Sequence, residues 1–89
     1  MNLMKSNRKH KRYMVDIDGV IYHFGSSVGR TYIDHKDKQK RQNYLARHKA
    51  REDWTKINAG SLSRWILWGN STSLAENIKD YKKRFNIKD

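Results

Sequence analysis

Between Lys11 and Phe24 the chain alternates with a period of two. Tyr13, Val15 and Ile17 fall on one face of an extended segment, and Met14 and Asp16 fall on the other. After Asp18-Gly19 the alternation resumes, with Val20, Tyr22 and Phe24 opposed to Ile21 and His23. An Asp-Gly pair between two such runs predicts a two-residue type I′ turn, because that turn needs positive φ at both central positions. Gly19 is therefore a signature position. The register this sets pairs Ile17 with Val20, Val15 with Tyr22 and Tyr13 with Phe24, a half-buried hairpin. Residues 25–29, Gly-Ser-Ser-Val-Gly, read as a loop.

Beyond the loop the period changes to that of a helix. Asp37 is placed as an N-cap for a helix reaching Ala50, with Arg41, Tyr44, Leu45 and His48 on one face. Its apolar stripe is narrow, so packing must hold it. Residues 51–60 read as a linker carrying Trp54. Ser61 is expected to cap a short helix over 62–68, with Leu62, Trp65 and Ile66 on one face and Gly69 as a left-handed C-cap. Ser73 and Glu76 stand at the spacing of a capping box. They open a last helix whose stripe is Leu74, Ile78, Tyr81 and Phe85. Lys82, Lys83 and Arg84 fall in its last turns, where cations complement the helix dipole. The pattern predicts a single α+β domain over residues 13–89, an N-terminal β-hairpin packed on about three α-helices. Residues 1–12 are expected to precede it as a basic arm.

Composition sharpens this picture. The chain has 89 residues, of which 36% are hydrophobic, so the core is thin and rests on a few large side chains. Burying one tryptophan removes roughly 150–250 Å² from water, worth about 4–6 kcal/mol before entropy at ~25 cal/mol per Å². Trp65 is accordingly expected in the core. Trp68, one turn later, is open to either the core or a partner. There are no cysteines, which excludes disulfides and Cys-ligated zinc. No apolar run reaches the ~18 residues of a membrane span, and the basic N-terminus lacks the apolar stretch of a secretory signal.

The formal net charge of +11 attracts polyanions: DNA, RNA, an acidic protein face or an anionic membrane. Lys5, Arg8, Lys9, Lys11 and Arg12 sit in the first twelve residues with no acid among them, the composition of a solvated arm. With Lys38, Lys40, Arg41, Lys82, Lys83, Arg84 and Trp68 they are the candidate nucleic-acid or partner-binding residues. No helix-turn-helix, zinc-finger or RNP pattern is present, so nucleic-acid binding would be sequence-tolerant.

Catalytic patterns are poorly served. His35-Lys36-Asp37 lacks the spacing of the phospholipase D motif; His35 and Asp37 read instead as local backbone partners at a helix start. His35, Asp37, His48, Glu52 and Asp53 lack metal-ligand spacing, and the carboxylates are expected to pair with Arg47, Arg51 and Arg64. Val20 to Tyr32 only superficially suggests a GIY-YIG nuclease, and Ser26 and Ser27 have no His-Asp partners in pattern. The expectation is a protein that is not an enzyme and needs no cofactor or metal.

Several motifs follow one another in a specific order: Phe24-Gly25, His35-Lys36-Asp37, Tyr44, Arg47-His48, Glu52-Asp53-Trp54, Ser63-Arg64-Trp65, Leu67-Trp68 and Ser73-Leu74. Over roughly residues 13–86 this order resembles a family of small, basic, uncharacterised proteins of large eukaryotic double-stranded DNA viruses. The chain departs from it at Lys38, where proline is usual, and at residues 59–62, where relatives carry an aromatic. The resemblance implies a viral protein and no catalytic mechanism. The expectation it supports is a virion structural protein, a minor capsid or cement protein on the inner side of the shell, assembled in the infected host cytoplasm. Its partners would be capsid proteins of the same virus, with Leu3 and Met4 of the arm anchored in a protein groove. The alternative is a sequence-nonspecific DNA-binding protein that packages the genome.

Overall fold

A computed structural model describes residues 1–88. The fold is α+β: a three-stranded antiparallel sheet in the order β1-β2-β3, followed by four helices. The strands are β1 (Leu3–Lys5), β2 (Lys11–Ile17) and β3 (Val20–Ser26). Asp18 and Gly19 have φ of 52° and 83°, as the type I′ turn requires, and the pairs Ile17–Val20, Val15–Tyr22 and Tyr13–Phe24 form as expected.

The first twelve residues do not make the solvated arm that their composition predicts. Leu3 pairs with Val15, Met4 with Met14 and Lys5 with Tyr13, and residues 6–10 form the turn into β2. Two things outweigh the charge repulsion. Leu3 packs against the core, and the backbone of β2 gains a second partner strand. Charge counting along the sequence sees neither.

Helix α1 (Tyr32–His35) lies where only a connection was expected. It is built on a capping box in which Asp34 accepts from the Thr31 N–H at 2.8 Å and the Thr31 hydroxyl at 3.0 Å. Arg12 donates to the same carboxylate at 2.9 Å, tying β2 to α1. Helix α2 (Lys38–Lys49) starts at Asp37, whose carboxylate accepts from the amides of Gln39 and Lys40.

Helix α3 (Ala59–Leu62) begins two residues before Ser61, the predicted cap. Asn58 is the N-cap: it accepts from the Ser61 amide at 2.8 Å, while the Ser61 hydroxyl accepts from the Asn58 N–H at 3.1 Å. The helix then widens into a π-helical turn over Ser63–Leu67, closed by a bond from the Trp68 N–H to the Ser63 carbonyl. An i→i+5 bond inserts one residue into the turn, so the simple helical period no longer sets the faces. Leu62, Ile66 and Leu67 are fully buried, and Trp65 is carried to the rim. Gly69 does not adopt the left-handed conformation. It is glycine because a Cβ there would collide with the Trp65 carbonyl and with the Asn77 side chain.

Helix α4 (Leu74–Arg84) is capped by Ser73, which accepts from the Glu76 amide. The Glu76 carboxylate takes the Ser71 hydroxyl instead of closing the box. The core joins Val15, Ile17 and Phe24 of the sheet to Leu62, Ile66, Leu67 and Tyr81 of the helices. Inside it the Tyr81 and Ser61 hydroxyls share a 2.7 Å hydrogen bond.

Candidate nucleic-acid interface

The β1–β2 turn, the end of β3 and helix α2 enclose a groove. One cavity of about 530 Å³ is bordered by His10, Lys11, Arg30 and Arg47. A second of about 340 Å³ continues from it and shares Arg30, Arg47 and Trp68, adding Lys40 and His35. Arg8 and Lys9 stand exposed on the adjoining turn. Lys11, Arg30, Lys40 and Arg47 therefore converge from three segments that are far apart in sequence.

The floor is an aromatic column. His48 stacks on Tyr44 at 4.1 Å, Tyr44 on Trp68 at 4.2 Å and only 4° from parallel, and Trp68 meets His35 at 5.3 Å. Burial, with Glu52 nearby, pushes the Tyr44 phenol up to about 12, so it stays neutral. The faces of Tyr44 and Trp68 are occupied by one another and by the two histidines. Tyr44 and Trp68 are thus largely engaged in the column, and what the groove offers is chiefly charge.

Acidic groups are spent elsewhere. Among the described residues lining the groove the only acid is Glu52. It holds His48 Nδ1 at 2.9 Å and accepts from Trp54 Nε1 at 2.9 Å. The expected pairing of these carboxylates with Arg47, Arg51 and Arg64 is not what forms: Asp53 instead caps Thr55. Asp37 lies at the start of α2, where the Lys40 and Gln39 amides hold its carboxyl below the ordinary value. His35 accepts from the Asp37 N–H at 2.9 Å through Nδ1, as expected, and its buried Nε2 has no hydrogen-bond partner among the described residues.

The predicted binding residues divide. Lys11, Lys40 and Trp68 line the groove, Arg8 and Lys9 adjoin it, and Lys5 and Lys38 are exposed on β1 and at the start of α2. Two others serve the fold. Arg12 is taken by Asp34, and Arg41 lies 5.4 Å from the Tyr32 ring while donating to the Trp68 and Gly69 carbonyls and to Asn70. Lys83 and Arg84 line one cavity beside Trp65, away from the groove, Arg84 lines a second there as well, and Lys82 precedes them in α4. Sequence reasoning missed Arg30 altogether and took Arg47 for a structural residue. Arg30 lies in an aperiodic loop after Gly29, and only the fold brings it opposite α2. Arg47 has the helical spacing of an outward position, which was its one legible signal.

Arg64, expected to pair with a nearby carboxylate, is only 9% exposed and packs instead among tryptophans. Its guanidinium lies 4.0 Å from the Trp65 ring and 5.2 Å from that of Trp54, and it donates to the Trp68 carbonyl at 3.0 Å. Burial, and then Arg41 and Arg84, pull it down to about 10. Trp65 is partly exposed, with Arg84 3.5 Å from its ring centre and its Nε1–H bonded to the Trp54 carbonyl at 3.1 Å.

No group of three or more metal-ligating side chains forms among the described residues, and no helix among them is long and apolar enough to cross a membrane. Residues 1–48 match the model of a family of unknown function, DUF5754, and the chain belongs to that family. The match takes in the sheet, α1 and nearly all of α2, hence every basic residue of the groove. No curated protein and no solved structure matches the chain.

Proposed function

We propose that this member of the DUF5754 family binds nucleic acid without regard to sequence, laying a phosphate backbone along the groove between the β1–β2 turn and α2. The observation that carries this reading is the convergence of Lys11, Arg30, Lys40 and Arg47 on a groove whose one acid is already engaged by His48 and Trp54. Cations from separate segments along one groove suit the phosphate backbone, whose contacts position a nucleic acid and carry no sequence information. The resemblance to small basic proteins of large DNA viruses makes a viral genome the ligand class of this reading. A capsid-tethering arm is a poorer fit, because residues 3–5 are paired into the sheet and Leu3 is packed on the core.

Binding through about four phosphates gives a log–log salt slope of about −3.6, at roughly −0.9 per phosphate. Affinity for a short duplex should then fall about a hundredfold between about 50 and 200 mM salt. Reversing both Arg30→Glu and Arg47→Glu should flatten the slope by about two phosphates' worth and weaken binding to every sequence alike. Reversal of the exposed Lys56 and Lys79 together, both outside the groove, is the charge-matched control. Equal losses in the two variants, or binding with no salt dependence, would refute the groove.

A further inference from the structure

The second basic cluster, at the C-terminal end of α4, is built differently from the groove. Trp54, Trp65, Phe85 and Thr55 wall a cavity of about 420 Å³, with Arg84 among its lining residues. A neighbouring cavity of about 390 Å³ is lined by Trp65 and Arg84 as well, together with Asn70, Asp80, Tyr81 and Lys83. Arg84 and Trp65 are thus the partition between two hollows. In contrast to the aromatic column of the groove, the aromatics here are covered by a movable side chain. Arg84 is exposed and pairs with no carboxylate among the described residues, and its guanidinium rests 3.5 Å from the Trp65 ring centre. It does so close to the buried Arg64, a second cation 4.0 Å from the same ring.

An anion would draw Arg84 away from that placement. A phosphate can take the guanidinium in charge-assisted, bidentate hydrogen bonds and relieve its crowding against Arg64. Doing so uncovers Trp65 and joins the two hollows into one trough between Trp54 and Phe85. A cation over a ring at an exposed site is a weak contact, weaker than a nucleobase stacked on the same ring. The exchange of guanidinium for base is therefore favourable when base and phosphate arrive together.

We infer that the Trp54–Trp65–Phe85 trough takes an unpaired nucleotide, the base replacing Arg84 on Trp65 while Arg84 and Lys83 take its phosphate. This rests on the nucleic-acid reading and adds to it a preference for single strands, because a base held in a duplex stack cannot enter the trough.

The test compares a short oligothymidylate with a duplex of the same length on the full chain. One stacked base is worth roughly a factor of five to a hundred and fifty in affinity. The single strand should bind more tightly by a factor in that range and quench tryptophan fluorescence more than the duplex, which meets only the Trp68 of the groove. Phe85→Leu and Arg84→Gln should each bring the ratio of the two affinities toward one without changing duplex affinity. Should Phe85→Leu not fold, protection of the wild-type tryptophans from acrylamide by oligothymidylate beyond that given by the duplex, which meets only Trp68, carries the same information. Equal affinities with equal protection overturn the trough and leave the groove standing. Binding of neither nucleic acid overturns both.

Discussion

Three glycines show how differently one residue type can be required. At Gly19, φ is 83° and nothing lies within 4 Å of where a Cβ would stand. An alanine there meets only backbone strain, about 1–2 kcal/mol. At Gly25, φ is 79° and a Cβ would also stand 2.8 Å from Leu67 Cδ1 and 3.3 Å from Arg12 Cβ. Strain then adds to overpacking, itself about 1–3 kcal/mol. Gly69 needs no unusual φ, but a Cβ there runs into the backbone carbonyl of Trp65, which cannot rotate away. Urea melts of the three alanine variants should rank Gly69→Ala as most damaging, then Gly25→Ala, then Gly19→Ala. A Gly19→Ala loss as large as that at Gly69 would contradict the geometry. Only the first of these demands was legible in the sequence, because an Asp-Gly turn is a local signal. The other two depend on side chains and carbonyls that fold back from elsewhere in the chain.

Among the elements, the segment from Asn58 to Asn77 departs most from its sequence pattern. A strict helical period puts Trp65 inside. The π-helical turn puts Leu67 inside and leaves Trp65 at the rim, and no residue pattern announces such a turn. Trp65→Ala should accordingly cost about 1–3 kcal/mol, less than the ~3–5 of a fully buried aromatic. The heavier penalty falls on Asn77, which is 1% exposed. Its amide donates to the Ile66 carbonyl at 2.9 Å and the Ser71 carbonyl at 2.7 Å, and its oxygen accepts from the Ser71 N–H at 3.2 Å. It replaces the backbone partners that the turn into α4 lacks. Asn77→Leu leaves those groups buried without partners, at about 1–3 kcal/mol each, and should destabilise more than Trp65→Ala in the same denaturation assay. The capped helices α2 and α4 were legible because Asp37 and Ser73 act within one turn of themselves.

Helix α1 and β2 are joined by a bond that responds to acid. Partial burial pushes the Asp34 carboxyl up. The Thr31 amide, Arg12 and the Thr31 hydroxyl outweigh it and bring the carboxyl below its ordinary value. A carboxyl depressed in the folded state stabilises above its unfolded value, about 3.9. That contribution is lost as pH falls through the folded value. The melting temperature of the parent should hold steady from neutrality to about pH 5 and then decline. Asp34→Asn should start lower and decline less over the same acid range. Parallel curves for the two proteins would show that the Arg12–Asp34 pair contributes nothing.

At the scale of the whole molecule, a net charge of +11 is carried on a body of only 35 × 28 × 25 Å. Self-repulsion of that size weakens the compact state, so anything that neutralises the surface should stabilise the fold. The sequence states the amount of charge but not its arrangement. Arg12 and Arg41 are consumed internally, while Arg30 and Arg47 become available only once the loop after Gly29 is folded against α2. Simple salt screens every charge a little, whereas a polyanion seated in the groove meets an arrangement of cations that only the native state holds. Ligand at a hundred times its dissociation constant stabilises by about 2.7 kcal/mol. For a domain of this size each 1 kcal/mol moves the melting temperature by about 4–8 °C, so saturating duplex should raise it by about 10–20 °C. Sodium chloride of matching ionic strength should give a much smaller rise, and adding salt on top of the duplex should reverse the gain by releasing the ligand. Arg30→Glu with Arg47→Glu should lose most of the duplex-induced rise while keeping the small response to salt. If salt alone reproduced the full rise, diffuse screening would account for the effect and the groove would have no part in it.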